Sequence, residues 1–173
     1  SRMIADMLFL AKAENNQLIP HPEPLELADE VAELLEFYGV LAEEKEIHLS
    51  VIGHGTVSGD RLMLHRAISN LLSNALRYTP VGGTVTVRIE TQGDEEVKLT
   101  VENTGSCIAA EHLPRLFDRF YRTDSARQRT TEGSGLGLAI TRSILIAHGG
   151  DVSVSSAEGI TRFTLSLPVG GQL

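Results

Sequence analysis

Asn70, Asn74 and Arg77 fall at i, i+4 and i+7 of the run Asn70-Leu71-Leu72-Ser73-Asn74-Ala75-Leu76-Arg77-Tyr78. In a helix that spacing puts two carboxamides and one guanidinium on a single stripe. An amide oxygen is a hard ligand, and Mg²⁺ takes few protein ligands beside phosphate and water. On residue type alone the stripe reads equally as solvated polar positions. Asn has middling helix propensity, however, so two of them four apart in a strong helix ask for a reason.

Two further patterns bear on anion chemistry. Gly133-x-Gly135-x-Gly137 leads into a helix and so offers backbone N–H groups and a helix N-terminus to phosphate oxygens. It does not closely follow a strand, which removes the dinucleotide-binding reading. No GxxxxGK[ST] run and no H-R-D loop occur, which removes P-loop and Ser/Thr/Tyr kinase readings. The second pattern is Arg115, Arg119, Arg122, Arg127 and Arg129, opposed within fifteen residues only by Asp118 and Asp124. That local positive excess suits a small anion, or else a solvated loop. The chain as a whole carries a net charge of −8, which argues against general nucleic-acid binding.

The elements that must position these groups follow from periodicity. Leu62, Leu64, Ile68, Leu71, Leu72, Ala75 and Leu76 recur at helical spacing, with Asp60 placed to cap and Pro80 to stop the helix. An amphipathic helix is expected over Leu25 to Glu46, with Leu27, Val31, Leu34, Leu35, Tyr38 and Leu41 inward. Residues 1–14 have helical apolar spacing and need a partner; Pro20, Pro22 and Pro24 mark 15–24 as a linker. Ile47 to Ile52 alternates as a strand turned by Gly53-His54-Gly55. Thr84 to Glu90 with Val97 to Glu102, and Val152 to Ser156 with Thr161 to Leu167, read as hairpins. Asn103 to Arg129 is a long loop with a short helix near Pro114, and a helix runs from Gly135 to His148. Strands and helices segregate, giving an α+β two-layer sandwich: one mixed sheet covered on one face by three helices.

At 173 residues, 42% hydrophobic and 22% charged, the chain is one domain or slightly more with a proper core. No apolar run approaches the roughly 20 residues of a membrane span. A single cysteine, Cys107, excludes an internal disulfide and suits a reducing compartment.

Four motifs in order resemble one family. Asn70-x3-Asn74-Ala75-x2-Tyr78 is similar to the N box of the sensor histidine kinases. Asn103-Thr104-Gly105, Phe117-Asp118-Arg119-Phe120-Tyr121-Arg122 and Gly133-Ser134-Gly135-Leu136-Gly137-Leu138 are similar to its later boxes. The resemblance spans residues 25–168 and implies the ATP-binding sandwich shared with Hsp90-type ATPases. It implies ATP and Mg²⁺ as ligands, with Asn74 on the metal and Asn70 and Arg77 on phosphate. Tyr78 would lie against the nucleotide, and Gly133, Gly135 and Gly137 would hinge a lid over Asp124 to Ser134. Gly105, Cys107, Ile108, Phe120, Arg122, Ser134, Leu136, Leu138 and Thr161 complete the implied nucleotide set. Asn103 stands where the family has an adenine-reading aspartate, and Cys107 where it often has a glycine. The first is a loss of about 1 kcal/mol for a neutral in place of a charge-assisted bond. The second is either a reactive thiol beside the base or an inert packed one.

The resemblance further implies a catalytic domain of a membrane-bound kinase that passes the γ-phosphate to a histidine on a helical hairpin. A response regulator would be the downstream partner, in a homodimeric whole of which this piece is monomeric. Residues 1–14 would be the hairpin's tail, residues 169–173 a tail of the domain, and the domain would lie in the cytoplasm. None of His21, His48, His54, His65, His112 and His148 has the acceptor's setting, so the acceptor is expected upstream of Ser1. The runs Ile68 to Pro80 and Glu102 to Arg122 resemble heavy-metal (copper or silver) responsive kinases. The alternatives are an ATPase or chaperone, an anti-sigma serine kinase, or a non-catalytic nucleotide-binding module. The ATPase and serine kinase place an activating Glu four residues before the metal Asn; Asn70 occupies that place and cannot act as a base.

Overall fold

The computed structural model describes residues 2–122 and 135–169. Its elements run α1 (Arg2–Glu14), β1 (Glu23–Glu26), α2 (Leu27–Glu44), β2 (His48–Gly53), β3 (Thr56–Gly59) and α3 (Arg61–Tyr78). After these come β4 (Thr84–Gln92), β5 (Glu96–Thr104), a 3₁₀ turn at Leu113–Arg115, α4 (Gly137–Ala147), β6 (Asp151–Ala157) and β7 (Ile160–Pro168). The main sheet has the order β2-β4-β5-β7-β6. Only β2 and β4 pair in parallel, because α3 carries the chain back across the layer between them. Helices α2, α3 and α4 cover one face of this sheet, with α3 between the other two.

Strand alternation puts Val85, Val87 and Ile89, then Val97, Leu99 and Val101, then Phe163, Leu165 and Leu167 under that helical layer. The opposite face is polar, and there Glu102 pairs with both Arg88 and Arg162. Helix α3 buries Leu64, Ala67, Ile68, Leu71, Leu72, Ala75 and Leu76. Each large side chain so buried contributes about 1.5–3 kcal/mol before the entropy of ordering it.

Four sequence expectations are corrected. Helix α2 begins at Leu27, not Leu25, because Glu23–Glu26 forms a strand paired antiparallel with β3. The five strands read from the sequence do form one mixed sheet, and this two-stranded ribbon is an addition to it. Pro24 is tolerated because β1 pairs on one side only. Leu41 and Leu62, expected inward, are 48% and 82% exposed, and Ala42 fills the core position beside Leu41. Asn103 and Thr104 belong to β5 rather than to the following loop, and α4 starts at Gly137 rather than Gly135.

The ends of the helices are tied to distant elements. Glu26 caps α2, its Oε1 accepting from Ala28 N–H at 3.2 Å and Gly55 N–H at 2.8 Å. Lys45 Nζ donates to the Leu76 carbonyl at 2.7 Å, placing a cation at the C-terminus of α3. At the other end Asp60 Oδ1 accepts from Met63 N–H at 3.1 Å and Oδ2 from His21 N–H at 2.9 Å. The Asp60 N–H in turn donates to Nε2 of buried His148 at 3.0 Å, while His148 Nδ1 donates to Ile144 O at 2.8 Å. One imidazole thus joins the start of α3 to the end of α4.

Burial pushes the Asp60 carboxyl up, but the His21 and Met63 N–H donors outweigh it and hold the group below its ordinary value. Its stabilisation is therefore complete above the unfolded value, near ~4, and is lost as pH falls through the folded one. Asp60→Asn is expected to cost about 1 kcal/mol at neutral pH, since an amide can accept only one of the two N–H bonds that the carboxylate takes. In urea unfolding, the gap between variant and parent should close as pH drops below about 4. A gap that stays constant with pH would mean that the cap does not depend on charge.

Candidate functional site

The stripe on α3 lies beside the start of α4 and the end of the sheet. Asn70, Asn74, Arg77 and Tyr78 are all half-buried, at the border between core and solvent. Asn70 is already engaged: its Nδ2 donates to Gly137 O at 3.1 Å and to Thr141 Oγ1 at 3.3 Å. Gly137 approaches to where an added Cβ would stand 3.7 Å from the Asn70 amide carbon. Asn70 therefore fixes the N-terminus of α4 against α3, a bridging role that residue spacing did not reveal. Among the described residues no side chain caps that N-terminus, whose N-cap position is Leu136. It leaves oriented backbone N–H groups and a partial positive charge beside the stripe.

Asn74, one turn further along α3, makes no hydrogen bond through its carboxamide among the described residues. Among those residues nothing occupies its amide oxygen, which could face an external ligand. The Arg77 guanidinium carbon lies 5.9 Å from the centre of the Tyr78 ring. Both residues lie in the last turn of α3, where the chain turns through Thr79 and Pro80.

The sheet contributes its polar end. Along β5 the inward row Val97, Leu99, Val101 closes with Asn103, and along β7 the row of Phe163, Leu165 and Leu167 is preceded by Thr161. Asn103 and Thr161 are register partners and both are buried. Asn103 Nδ2 donates to the Thr104 carbonyl at 3.3 Å, which leaves its Oδ1 as an acceptor. Thr161 Oγ1 is 2.7 Å from Ser156 Oγ, and that hydroxyl accepts from Ile108 N–H at 2.9 Å. Gly105, at φ +143°, stands where a Cβ would come within 3.2 Å of Pro80 and 3.3 Å of Tyr78 O. This close approach brings the Asn103 end of the sheet against the end of α3. Cys107 is exposed, which corrects the packed-thiol alternative, and its Sγ accepts the Gly159 N–H at 3.1 Å.

The aromatic-arginine run folds back on the site's edge. Phe117 meets Phe163 edge-on at 6.2 Å, and the Arg115 guanidinium lies 4.6 Å from the centre of the Tyr121 ring. Phe120 has φ +61° and donates its N–H to Gly135 O at 2.9 Å. A Cβ on Gly135 would stand 2.8 Å from Phe120 Cα, and its own φ is +78°, so glycine is required there on both counts. Arg122 ends the described run, while Leu136 is buried and Leu138 half-buried at the start of α4. Gly133 and Ser134, the lid expected over Asp124 to Ser134, and Arg127 and Arg129 lie outside the described residues.

The fit to a magnesium nucleotide can be tested on these groups. An uncommitted amide oxygen at Asn74, an uncapped helix N-terminus and a buried amide acceptor at Asn103 form a polar path along an otherwise apolar layer. Such donors and acceptors suit a hard cation, phosphates and an amino-bearing base respectively.

The sequence profile of the "Histidine kinase-, DNA gyrase B-, and HSP90-like ATPase" family matches residues 59–171. Sensor histidine kinase CusS of Escherichia coli strain K12 is 57% identical over 169 residues, covering 97% of this chain and 35% of that protein. The chain thus spans about a third of the length of the curated relatives it matches. Among solved structures, the mycobacterial sensor histidine kinase MprB superposes with a TM-score of 0.75 at 31% identity, covering 84% of this chain and 97% of that one. Full-length ShkA in complex with AMPPNP superposes with a TM-score of 0.84 at 25% identity, covering 96% of this chain and 35% of that one. The profile match and the near-complete overlap with MprB agree with the site's layout: this chain belongs to the histidine kinase-, DNA gyrase B- and HSP90-like ATPase family, as an ATP-binding catalytic domain of the sensor histidine kinase branch.

Proposed function

We propose that this domain binds Mg·ATP and presents the γ-phosphate in line to a histidine on a helical hairpin that α1 continues. The phosphate would then pass to a response regulator. The observation that carries the reading is the juxtaposition of Asn74, free among the described residues, with the uncapped α4 N-terminus that Asn70 holds in place. Asn74 would ligate Mg²⁺, which supplies charge neutralisation on the phosphates when bound. Arg77 and the N–H groups of Gly137 and Leu138 would receive phosphate oxygens. Asn103 Oδ1 would accept from the adenine amino group, with Thr161, Gly105, Cys107 and Ile108 around it and Tyr78 against the nucleotide. Phe120, Arg122, Gly135 and Leu136 would border the nucleotide.

In this reading the domain supplies positioning and electrostatics, because the nucleophile comes from the hairpin. Asn70 in the place of a general base disfavours water or hydroxyl activation by this chain itself. The 57% identity with CusS supports a place among heavy-metal responsive kinases. Residues 25–168 would be the catalytic domain, 1–14 the hairpin's tail and 169–173 a terminal tail. The chain would be the cytoplasmic part of a homodimeric inner-membrane kinase. Consistent with the piece itself, no helix among the described residues is long and apolar enough to cross a membrane.

Calorimetric titration with ATP is expected to give saturable binding that weakens without Mg²⁺ and exceeds that of GTP. Asn103→Asp should tighten ATP binding a few-fold to tenfold, about 1 kcal/mol, by restoring a charge-assisted bond; equal or weaker binding would remove Asn103 from the base. Asn74→Ala, with circular dichroism unchanged, should abolish Mg-dependent phosphotransfer to a supplied hairpin, and intact transfer would remove the metal role. Incubated alone with Mg·ATP, the chain should acquire no acid-labile, base-stable label. Such a label would place the acceptor among its own six histidines.

A further inference from the structure

At the opposite end of α3 from Arg77 lies a cluster that the nucleotide reading does not use. Glu30 and Glu33 are one turn apart on α2, and His65 faces them from α3. His65 Nε2 is 3.4 Å from Glu30 Oε2 and 3.9 Å from Glu33 Oε2. One donor atom from each of the three lies within 4.8 Å of the others. A zinc ion bonded to nitrogen and oxygen at about 2.0–2.2 Å in tetrahedral geometry holds its ligand atoms about 3.3–3.6 Å apart. The His65–Glu30 separation falls in that range, and the other separations exceed it by at most about 1.5 Å, within the reach of a side-chain adjustment at exposed Glu33.

The electrostatics supply an independent reason. The Glu30 side chain is only 8% exposed. Its Oε1 is 2.8 Å from Arg61 Nε, yet the N–H is not directed at it. That oxygen and His65 Nε2 are buried polar atoms without a hydrogen bond among the described residues. Leaving both so is costly, and a neutral imidazole lone pair facing a carboxylate oxygen is repulsive unless a cation lies between them. Arg61 also pairs with Glu23 at 3.3 Å, so one guanidinium is shared by two carboxylates while Glu33 adds a third negative charge. The excess favours a divalent cation.

We propose that Glu30, Glu33 and His65 form a site for a first-row divalent transition-metal ion of the zinc type, tying α2 to α3, with water completing the shell. The imidazole selects against Mg²⁺ and Ca²⁺, which take oxygen ligands. His65 precedes Asn74 by nine residues, about 13 Å along the helix, so this ion is separate from the one a nucleotide brings.

The test is a titration of chelator-stripped protein with Zn²⁺ in Mg²⁺-containing buffer, beside Glu33→Gln and His65→Ala. The Glu33 side chain is 65% exposed, so its substitution leaves the fold intact. One zinc per chain is expected, at least tenfold weaker in Glu33→Gln and lost in His65→Ala. Co²⁺ in its place should give d–d bands without thiolate charge transfer, which keeps Cys107 out of the shell. No stoichiometric zinc, equal binding by Glu33→Gln, or a thiolate band would overturn the site.

Discussion

The rotation of α3 about its own axis is the constraint on which the rest of the molecule depends. Seven of its side chains are buried, from Leu64 through Leu76, against the sheet and the helices on either side. A helix turns about 100° per residue, so a one-residue slip would drive Asn70 or Asn74 into the apolar layer and expel a leucine. Truncating one such leucine costs about 2–5 kcal/mol, and burying an unpaired carboxamide adds more. The polar stripe is therefore held at the border of the layer by the packing behind it. Asp60 at one end and Lys45 at the other fix the helix lengthwise as well.

The sheet meets this helix with a matching change of chemistry. Rows that are apolar through Val101 and Phe163 turn polar at Asn103 and Thr161, where the cover of α3 runs out. Each buried polar group there is partly satisfied by its own neighbourhood: Asn103 by the Thr104 carbonyl, Thr161 by the Ser156 hydroxyl. An aspartate at 103 could not donate to that carbonyl, being an acceptor only. The asparagine trades a stronger bond to an incoming donor for a locally anchored side chain, so the departure from the family's aspartate has a structural return.

What could be read in advance follows the range of the forces involved. The extent of α3 was legible because period, cap and stop are all local: seven buried apolar positions, Asp60 before them and Pro80 after. The β1–β3 ribbon was not, since Glu23 and Pro24 look like linker, Leu25 and Glu26 like the start of α2, and their pairing partners lie thirty or more positions away. Helix spacing also cannot tell a buried from a bordering apolar residue, which is why Leu41 and Leu62 were assigned inward and lie exposed. Within the site, Asn70 and Asn74 were legible as a pair, but their different occupations were not. The bond from Asn70 to Gly137 depends on where α4 begins, and the glycine run alone places that start two residues early.

Helix α1 is attached on other terms than α2, α3 and α4. It reaches both sides of the site: Asp6 pairs with Arg66 of α3 at 2.6 Å, and Glu14 with Arg119 beside Phe120, also at 2.6 Å. Yet Leu10 is its one buried hydrophobic side chain, while Met3, Ile4, Met7 and Leu8 are exposed. One buried leucine contributes about 1.5–3 kcal/mol, and partly exposed ion pairs about 0.2–1 kcal/mol each. Arg66 over Phe9, 4.5 Å from the ring centre, adds a contribution of similar size to an ion pair. These gains are offset by the entropy of ordering long charged side chains. The net hold on α1 is a small fraction of what the seven buried residues of α3 supply, so α1 can leave its seat while the sandwich stays folded. Its ion pairs with α3 and with the Arg119 segment leave it touching both sides of the site.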